Sequence, residues 1–252
     1  MLKSSSKTWL PFIILIALWY YLCQLQLWST FVLPPPFQVA EAFIEMCTTG
    51  ELLESILVSF KRIILGFSLS CLLAFGFATF SIMLPKAKPY YASLLNFIRN
   101  IPPIALIPLL ILWFGIGEAS KLIIIVLASF FPLLLNLDSG FGGCDKKLLE
   151  VGQMLNFSQE EKLKKIILPY ALPYIVTGMR IALGYSLRAI IGAEMIAASS
   201  GLGYLILDAQ TMSRSDKVLV SIITIGLLGI LLDKIFAYII QRYLPYAKEA
   251  VA

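Results

Sequence analysis

Long apolar runs separated by short polar joints leave this chain very few folds to choose from. A helix needs about 20 apolar residues to cross the hydrocarbon of a bilayer. Runs of that order recur along the sequence, for example after Lys7, before "PKAKP" and after Lys217. A membrane β-barrel would instead show short segments of alternating polarity. Of the 252 residues, 59% are apolar and only 14% charged, a balance foreign to ordinary water-soluble domains. The fold class is therefore an all-α polytopic membrane protein.

Six transmembrane helices are expected. The first covers about 9–27, with Trp19, Tyr20, Tyr21 and Trp28 suited to an interfacial belt. "LPPPF" then interrupts any helix. Residues 37–47 form an amphipathic helix that Gly50 ends, and the second span covers 56–84. The third, "NFIRNIPPIALIPLLILWFG", carries Pro102, Pro103 and Pro108 and has to be broken or kinked. Backbone groups freed by such a break are tolerated only against protein or a water-filled cavity. This span is thus expected to face the inside of a bundle. The fourth covers 122–137 with Pro132 inside, the fifth 169–197 and the sixth 218–243. No cleavable leader is expected: no small-residue cleavage site follows the first run.

Lys and Arg placement orients the spans. With the N-terminus in the cytoplasm, Lys3, Lys7, Lys86, Lys88, Lys146, Lys147, Lys162, Lys164, Lys165, Arg242 and Lys248 lie inside. Lys61, Arg62, Lys121, Arg214 and Lys217 lie outside or at the outer boundary. Both termini are then cytoplasmic, and so is the charged stretch 148–168. The net charge of +5 needs no nucleic acid to explain it.

That stretch has internal order. Leu148, Val151, Gly152 and Leu155 share a helical face. Asn156 suits the left-handed residue that ends a helix. Ser158 and Glu161 have capping-box spacing for a second helix. Glu160 and Glu161 open that helix and Lys162, Lys164 and Lys165 close it, as the macrodipole favours. Pro169 is expected to start the next helix afresh. The short apolar stripe either folds back on its own membrane domain or fills a groove on a separate cytoplasmic protein. Pattern alone leaves both open.

The residues that follow resemble a known family. Glu150-Val151-Gly152, Asn156 and Ile166-x-Leu168-Pro169 are similar in spacing to the E-A-A, glycine, I-x-L-P loop of ABC-importer permeases. Small or turn-permitting residues stand where that pattern has alanines and glycine. "LPPPFQVAEAF", "SFKRIILGF", "RNIPPIALIPLLILWFGIGEASK", "LPYALPYIVTGMRIALG" and "AEMIAASSGLGYLI" resemble the sulfonate, taurine and nitrate permeases of the type I importer class. The resemblance runs over about 33–243. It implies a type I permease core over 56–245 with a coupling loop at 146–168. Before it come a first helix and flanks over 1–36 and an extracytoplasmic segment at 37–55, and a cytoplasmic tail follows at 246–252. It implies that Glu150, Val151, Gly152, Leu155, Asn156, Phe157, Ile166, Leu168 and Pro169 meet an ATPase. It further implies two ATPase subunits, a second permease copy, an extracytoplasmic binding protein and a bacterial inner membrane. The solute would be a small sulfonate, taurine or nitrate-type anion, or a vitamin precursor such as a pyrimidine or flavin. The chain has no G-x-x-x-x-G-K-[ST] loop, so ATP and Mg²⁺ are expected on a partner, with no cofactor here.

Ionisable residues inside spans are functional candidates by default. Arg180, Gly184 and Arg188 fall on one face of the fifth span, and Glu194 lies further outward. Arg99, Asn100 and Pro102 open the break in the third. Arg99, Asn100, Arg180 and Glu194 fall at positions the resembling family also uses, where pairing and helix capping are the plain alternatives. At Arg188 related permeases usually carry a neutral residue. A cation there would favour an anionic or carbonyl-rich solute, unless Asp233 or Glu194 neutralises it. "SSGLGY" turns the chain at the outer surface, and "LILDAQTMSRSD" forms a short outer helix able to meet a binding protein. An ion-coupled secondary transporter using Asp138, Glu194 and Asp233 is the rival reading. It has no use for the charged loop, and the third span has no inverted repeat. An intramembrane enzyme is disfavoured: histidine is absent and no nucleophile–base pair stands out. The four cysteines, Cys23, Cys47, Cys71 and Cys144, lack metal spacing.

Overall fold

The computed structural model describes residues 5–244, with the side chains of 5–9 and 146 left aside. Lys3, Lys248 and the tail 246–252 lie outside the described residues. The helices are α1 (Ser5–Gln24), α2 (Pro36–Thr48), α3 (Glu51–Met83), α4 (Lys88–Arg99), α5 (Ile107–Phe114), α6 (Glu118–Gly142), α7 (Lys146–Met154), α8 (Gln159–Lys162), α9 (Leu168–Ala197), α10 (Leu202–Thr211) and α11 (Ser215–Tyr243). No strand interrupts them among the described residues.

Four helical stretches are long and apolar enough to cross a membrane: α3, α6, the run Gln159–Ala197 and α11. The third expected span is α4 and α5 with an 86° bend between them, a fifth crossing or a re-entrant loop. Within α1, Leu10–Gln24 is apolar but shorter. The expected six crossings are therefore not all of full length. The Trp19 indole donates to the Pro34 carbonyl at 3.1 Å and ties α1 to the proline joint.

The core is a packed trio of α3, α6 and α9. Without a hydrophobic drive inside lipid, helices associate where small residues let backbones approach. Helix α3 presents Ser59, Gly66, Ser70, Ala74 and Ala78 as its buried stripe. A Cβ on Gly66 would lie 2.6–2.9 Å from Ile125 of α6, so only glycine fits. Gly140 of α6 and Gly178 of α9 play the same part at their crossing, against Tyr174 and Asn136. Helix α6 starts at Glu118, one turn earlier than expected, because Lys121 is buried and closes on the Glu118 carboxylate at 3.0 Å.

Pro169 does not restart the chain as expected. The helix runs on from Gln159 through a π-helical turn, Leu163–Ile167, into α9. A proline has no N–H and crowds the carbonyl one turn back. The wider π turn absorbs that misfit, and the Leu168 N–H reaches back to the Leu163 carbonyl. The broken span also sits differently from expectation. Only Ile107 and Leu110 of α5 are buried, while Leu112, Trp113 and Ile116 point away from the trio. Its inner side, not its whole girth, faces protein.

Gly66→Val is expected to destabilise the protein by about 1–3 kcal/mol through overpacking at the α3–α6 contact. Thermal unfolding in mild detergent reads this as a clear drop in Tm relative to a substitution at Gly76, where a new Cβ meets nothing within 4 Å.

Candidate functional site

At the end of the bundle far from the charged hairpin, Glu194 of α9 is fully buried. A lone carboxylate there would be prohibitively costly. Three donors from two elements prevent that. Ser59 of α3 donates to its carboxylate at 2.8 Å, Arg62 at 2.8 Å and the Gly203 N–H at 3.0 Å, while Ser59 accepts from Leu202 N–H at 2.9 Å. Arg62 also donates to the Ser200 carbonyl at 2.8 Å and to Glu118 at 2.6 and 2.8 Å. Gly201, at φ +114°, and Gly203 leave room: a Cβ on either would collide with Glu194. The glycine loop therefore wraps the protein's own carboxylate, and the Leu202 and Gly203 N–H groups are taken up in doing so. Arg62 is itself buried in this knot.

Below the knot, α9 turns its Arg180, Gly184 and Arg188 face into a cleft of about 420 Å³ against α11. Arg180 grips Asp233 with two hydrogen bonds, at 2.6 and 2.8 Å. Arg188 has no carboxylate partner among the described residues. It lies over the Tyr185 ring, 5.6 Å from its centroid. Asp233 is taken by Arg180 and Glu194 by Arg62, so neither neutralises Arg188. Arg188 and Tyr185 also line a second cleft of about 730 Å³, between the broken span, α6 and α9. Arg99 and Asn100 line it too, and Arg99 continues into a third cleft of about 370 Å³ toward the hairpin end. There Lys88 closes on Asp138 at 2.8 Å.

The hairpin hangs from the same helix. Asp145 caps α7 by accepting from the Lys147 N–H at 3.0 Å. The helix ends on Asn156, at φ +53°. Phe157 N–H bonds the Gly152 carbonyl and Asn156 N–H the Gln153 carbonyl, both at 2.9 Å, which is a Schellman closure. Ser158 and Glu161 then exchange both capping-box bonds. Gly152 alone of the α7 stripe turns inward, where a Cβ would come 2.6 Å from Ile166. Leu148, Val151 and Leu155 are 46%, 50% and 60% exposed, so the stripe does not fold back on the membrane domain. Glu150 is exposed and has no hydrogen bond or ion pair among the described residues.

Residues 66–245 match the family described as binding-protein-dependent transport system inner membrane component. The chain belongs to this family. The SsuC protein of Bacillus subtilis, named for aliphatic sulfonates transport, is 36% identical over 92% of this permease and 83% of its own length. The taurine transport system permease TauC of Escherichia coli is 32% identical, over 94% and 88%. The nitrate import permease NrtB of Synechocystis is 28% identical, over 92% and 86%. A solved structure of the MetNI methionine ABC transporter, inward facing, superposes with a TM-score of 0.60 at 16% identity, covering 77% of this permease and 94% of that chain. At that identity the likeness is one of fold. This permease is thus an ABC-importer permease related to those of sulfonate, taurine and nitrate.

The site residues expected from the sequence fall into three places in the permease. Glu150, Val151, Gly152, Leu155, Asn156, Phe157 and Ile166 make the hairpin, with Lys165 4.5 Å over the Phe157 ring and Leu168 and Pro169 opening α9. Arg99, Asn100, Arg180, Gly184 and Arg188 line the connected clefts. Pro102 is not among the lining residues, and Glu194 is sealed in the knot far from the hairpin. Sequence reasoning missed Ser59 and Arg62 as Glu194's partners, 135 and 132 residues away. It also missed an ion cluster in which Arg214 and Lys217 hold Glu45 of α2 at 2.9 and 3.0 Å.

Glu194→Ala is expected to cost about 3–5 kcal/mol, since it strands part of the Arg62 charge. The double change Arg62→Met, Glu194→Met should cost less than the sum of the two singles, measured by unfolding in detergent. Outside the spans, Arg214 first and then Lys217 hold the Glu45 carboxyl below its ordinary 4.5. A depressed folded pKa contributes stability above 4.5 that is lost as pH falls through the folded value. Glu45→Gln should therefore flatten the fall of Tm as pH drops below 4.5 and leave its slope near neutrality unchanged.

Proposed function

We propose that this chain is the translocating subunit of an ATP-driven importer for a small oxyanion. A second copy of the permease completes the pathway, and the α7–α8 hairpin seats in a groove on an ATPase subunit, one for each copy. ATP and Mg²⁺ are bound and spent on that partner. A binding protein delivers solute at the opposite face, where α10 and the Glu45 cluster lie. The hairpin and both termini are cytoplasmic.

The observation that carries this reading is the hairpin itself. Two independent helix stops, the Schellman closure at Asn156 and the capping box at Ser158, fix α7 in place while its apolar stripe stays uncovered. Such a helix held outward is the shape recognised by a complementary groove. The second copy is supported by polar groups at membrane depth, Arg99 and Arg188, that a single chain leaves open; lipid does not cover such groups. The anion is supported by the relatives, named for sulfonate, taurine and nitrate transport.

Val151→Asp is the sharp test. Val151 is 50% exposed, so folding should change by less than about 0.5 kcal/mol. The ATPase recovered with the purified permease should fall at least about tenfold, since a carboxylate cannot be desolvated in an apolar groove. Undiminished ATPase recovery and import would reject the assignment.

A further inference from the structure

The three clefts form a connected track. The cleft nearest the hairpin shares Arg99, Phe131 and Leu135 with the middle one, and the middle one shares Ile181, Tyr185 and Arg188 with the cleft against α11. Every carboxylate along this track is closed by a cation of its own: Asp138 by Lys88, Asp233 by Arg180. The middle cleft has no carboxylate in its lining and two guanidinium groups, Arg99 and Arg188. Neither forms an ion pair among the described residues. Ionisable groups at membrane depth mark solute or ion pathways. Arg188 lies 20 positions beyond Leu168 in α9, about 30 Å along the helix. Arg99 ends α4 directly before the break.

The other charges lining this track are settled by the chain's own residues; in the middle cleft two are left, one at the end of α4 and one on α9. Apart from Asn100 and Tyr185 the rest of the lining is apolar, Ile104 and Phe131 included, and the cleft encloses about 730 Å³. A bare inorganic ion would satisfy the guanidinium groups and leave that apolar wall unfilled.

We propose that Arg99 and Arg188 together hold the oxyanion head of a small solute whose short apolar body rests on the wall between the broken span, α6 and α9. This rests on the reading of the chain as an importer of small oxyanions and places a recognition station within the membrane subunit itself. The forked guanidinium donors suit a sulfonate-type head with several acceptor oxygens. Tyr185 under Arg188 steadies the cation while leaving its edge free for the solute. Asp233 keeps Arg180 from competing in the neighbouring cleft.

The test is equilibrium binding of butane-1-sulfonate to the full-length permease in lipid nanodiscs, with nitrate and butan-1-ol as comparators. Butane-1-sulfonate should bind saturably and weaken with added salt. Nitrate should bind several-fold more weakly, and butan-1-ol should show no saturable binding. Arg99→Gln and Arg188→Gln should each weaken butane-1-sulfonate by at least about tenfold, the loss of a charge-assisted hydrogen bond. Arg188→Lys, which keeps the charge and loses the fork, should fall between wild type and Arg188→Gln and covers the case of a glutamine variant that does not fold. Unchanged binding in either folded glutamine variant, or equal affinity for nitrate, overturns the proposal, as does saturable binding of butan-1-ol. No ATPase enters the measurement, so a failure of hairpin coupling and a failure of this station are separately visible.

Discussion

Glu194 carries a carboxylate where no water can reach it, and the bundle is arranged to answer that charge. Ser59 and Arg62 come from α3, the Gly203 N–H from the start of α10, and Arg62 reaches on to Glu118 at the head of α6. One buried charge thus registers four helices at one end of the molecule. The wider constraint is the bilayer as solvent: a polar group inside it has to be settled within the protein or face an aqueous space. Charges that are settled hold the frame. Arg99 and Arg188, which are not, mark where the frame opens.

A single helical run connects these parts. From Gln159 to Ala197 the chain is continuous over 39 residues. It begins in the hairpin, where Ile166 packs on Gly152. It passes the cleft at Arg180, Gly184 and Arg188, and ends at Glu194 in the knot. A displacement applied at α7 acts on the same rod that carries the cleft wall. The π turn at Leu163–Ile167 sits between the two, at the one place where Pro169 would otherwise break the helix.

Local features were legible because their causes are local. Capping-box spacing at Ser158–Glu161, the left-handed residue at Asn156 and the proline break after Arg99 each follow from a few neighbouring residues, and each stands in the structure. The Arg180–Gly184–Arg188 face follows from helical period alone. What escaped is long-range. Nothing near Glu194 reveals that Ser59 and Arg62 will answer it. The continuity through Pro169 escaped as well, because a proline read one residue at a time signals a helix start, and only the wider π turn lets it lie within a longer run. Arg188 was weighed against partners on Asp233 and Glu194, and packing gave both carboxylates to other arginines.

The most direct test of this division between settled and open charges is water access along α9. With Cys23, Cys47, Cys71 and Cys144 replaced, a cysteine is placed at Gly184, where a Cβ meets nothing within 4 Å, or at Ala182, which is fully buried. A charged, membrane-impermeant thiol reagent is then applied to the assembled protein in membranes. Rapid reaction at position 184 with none at 182 is the expected result. A silent position 184 would mean that this face meets lipid or packed protein, and that no aqueous path runs past Arg188.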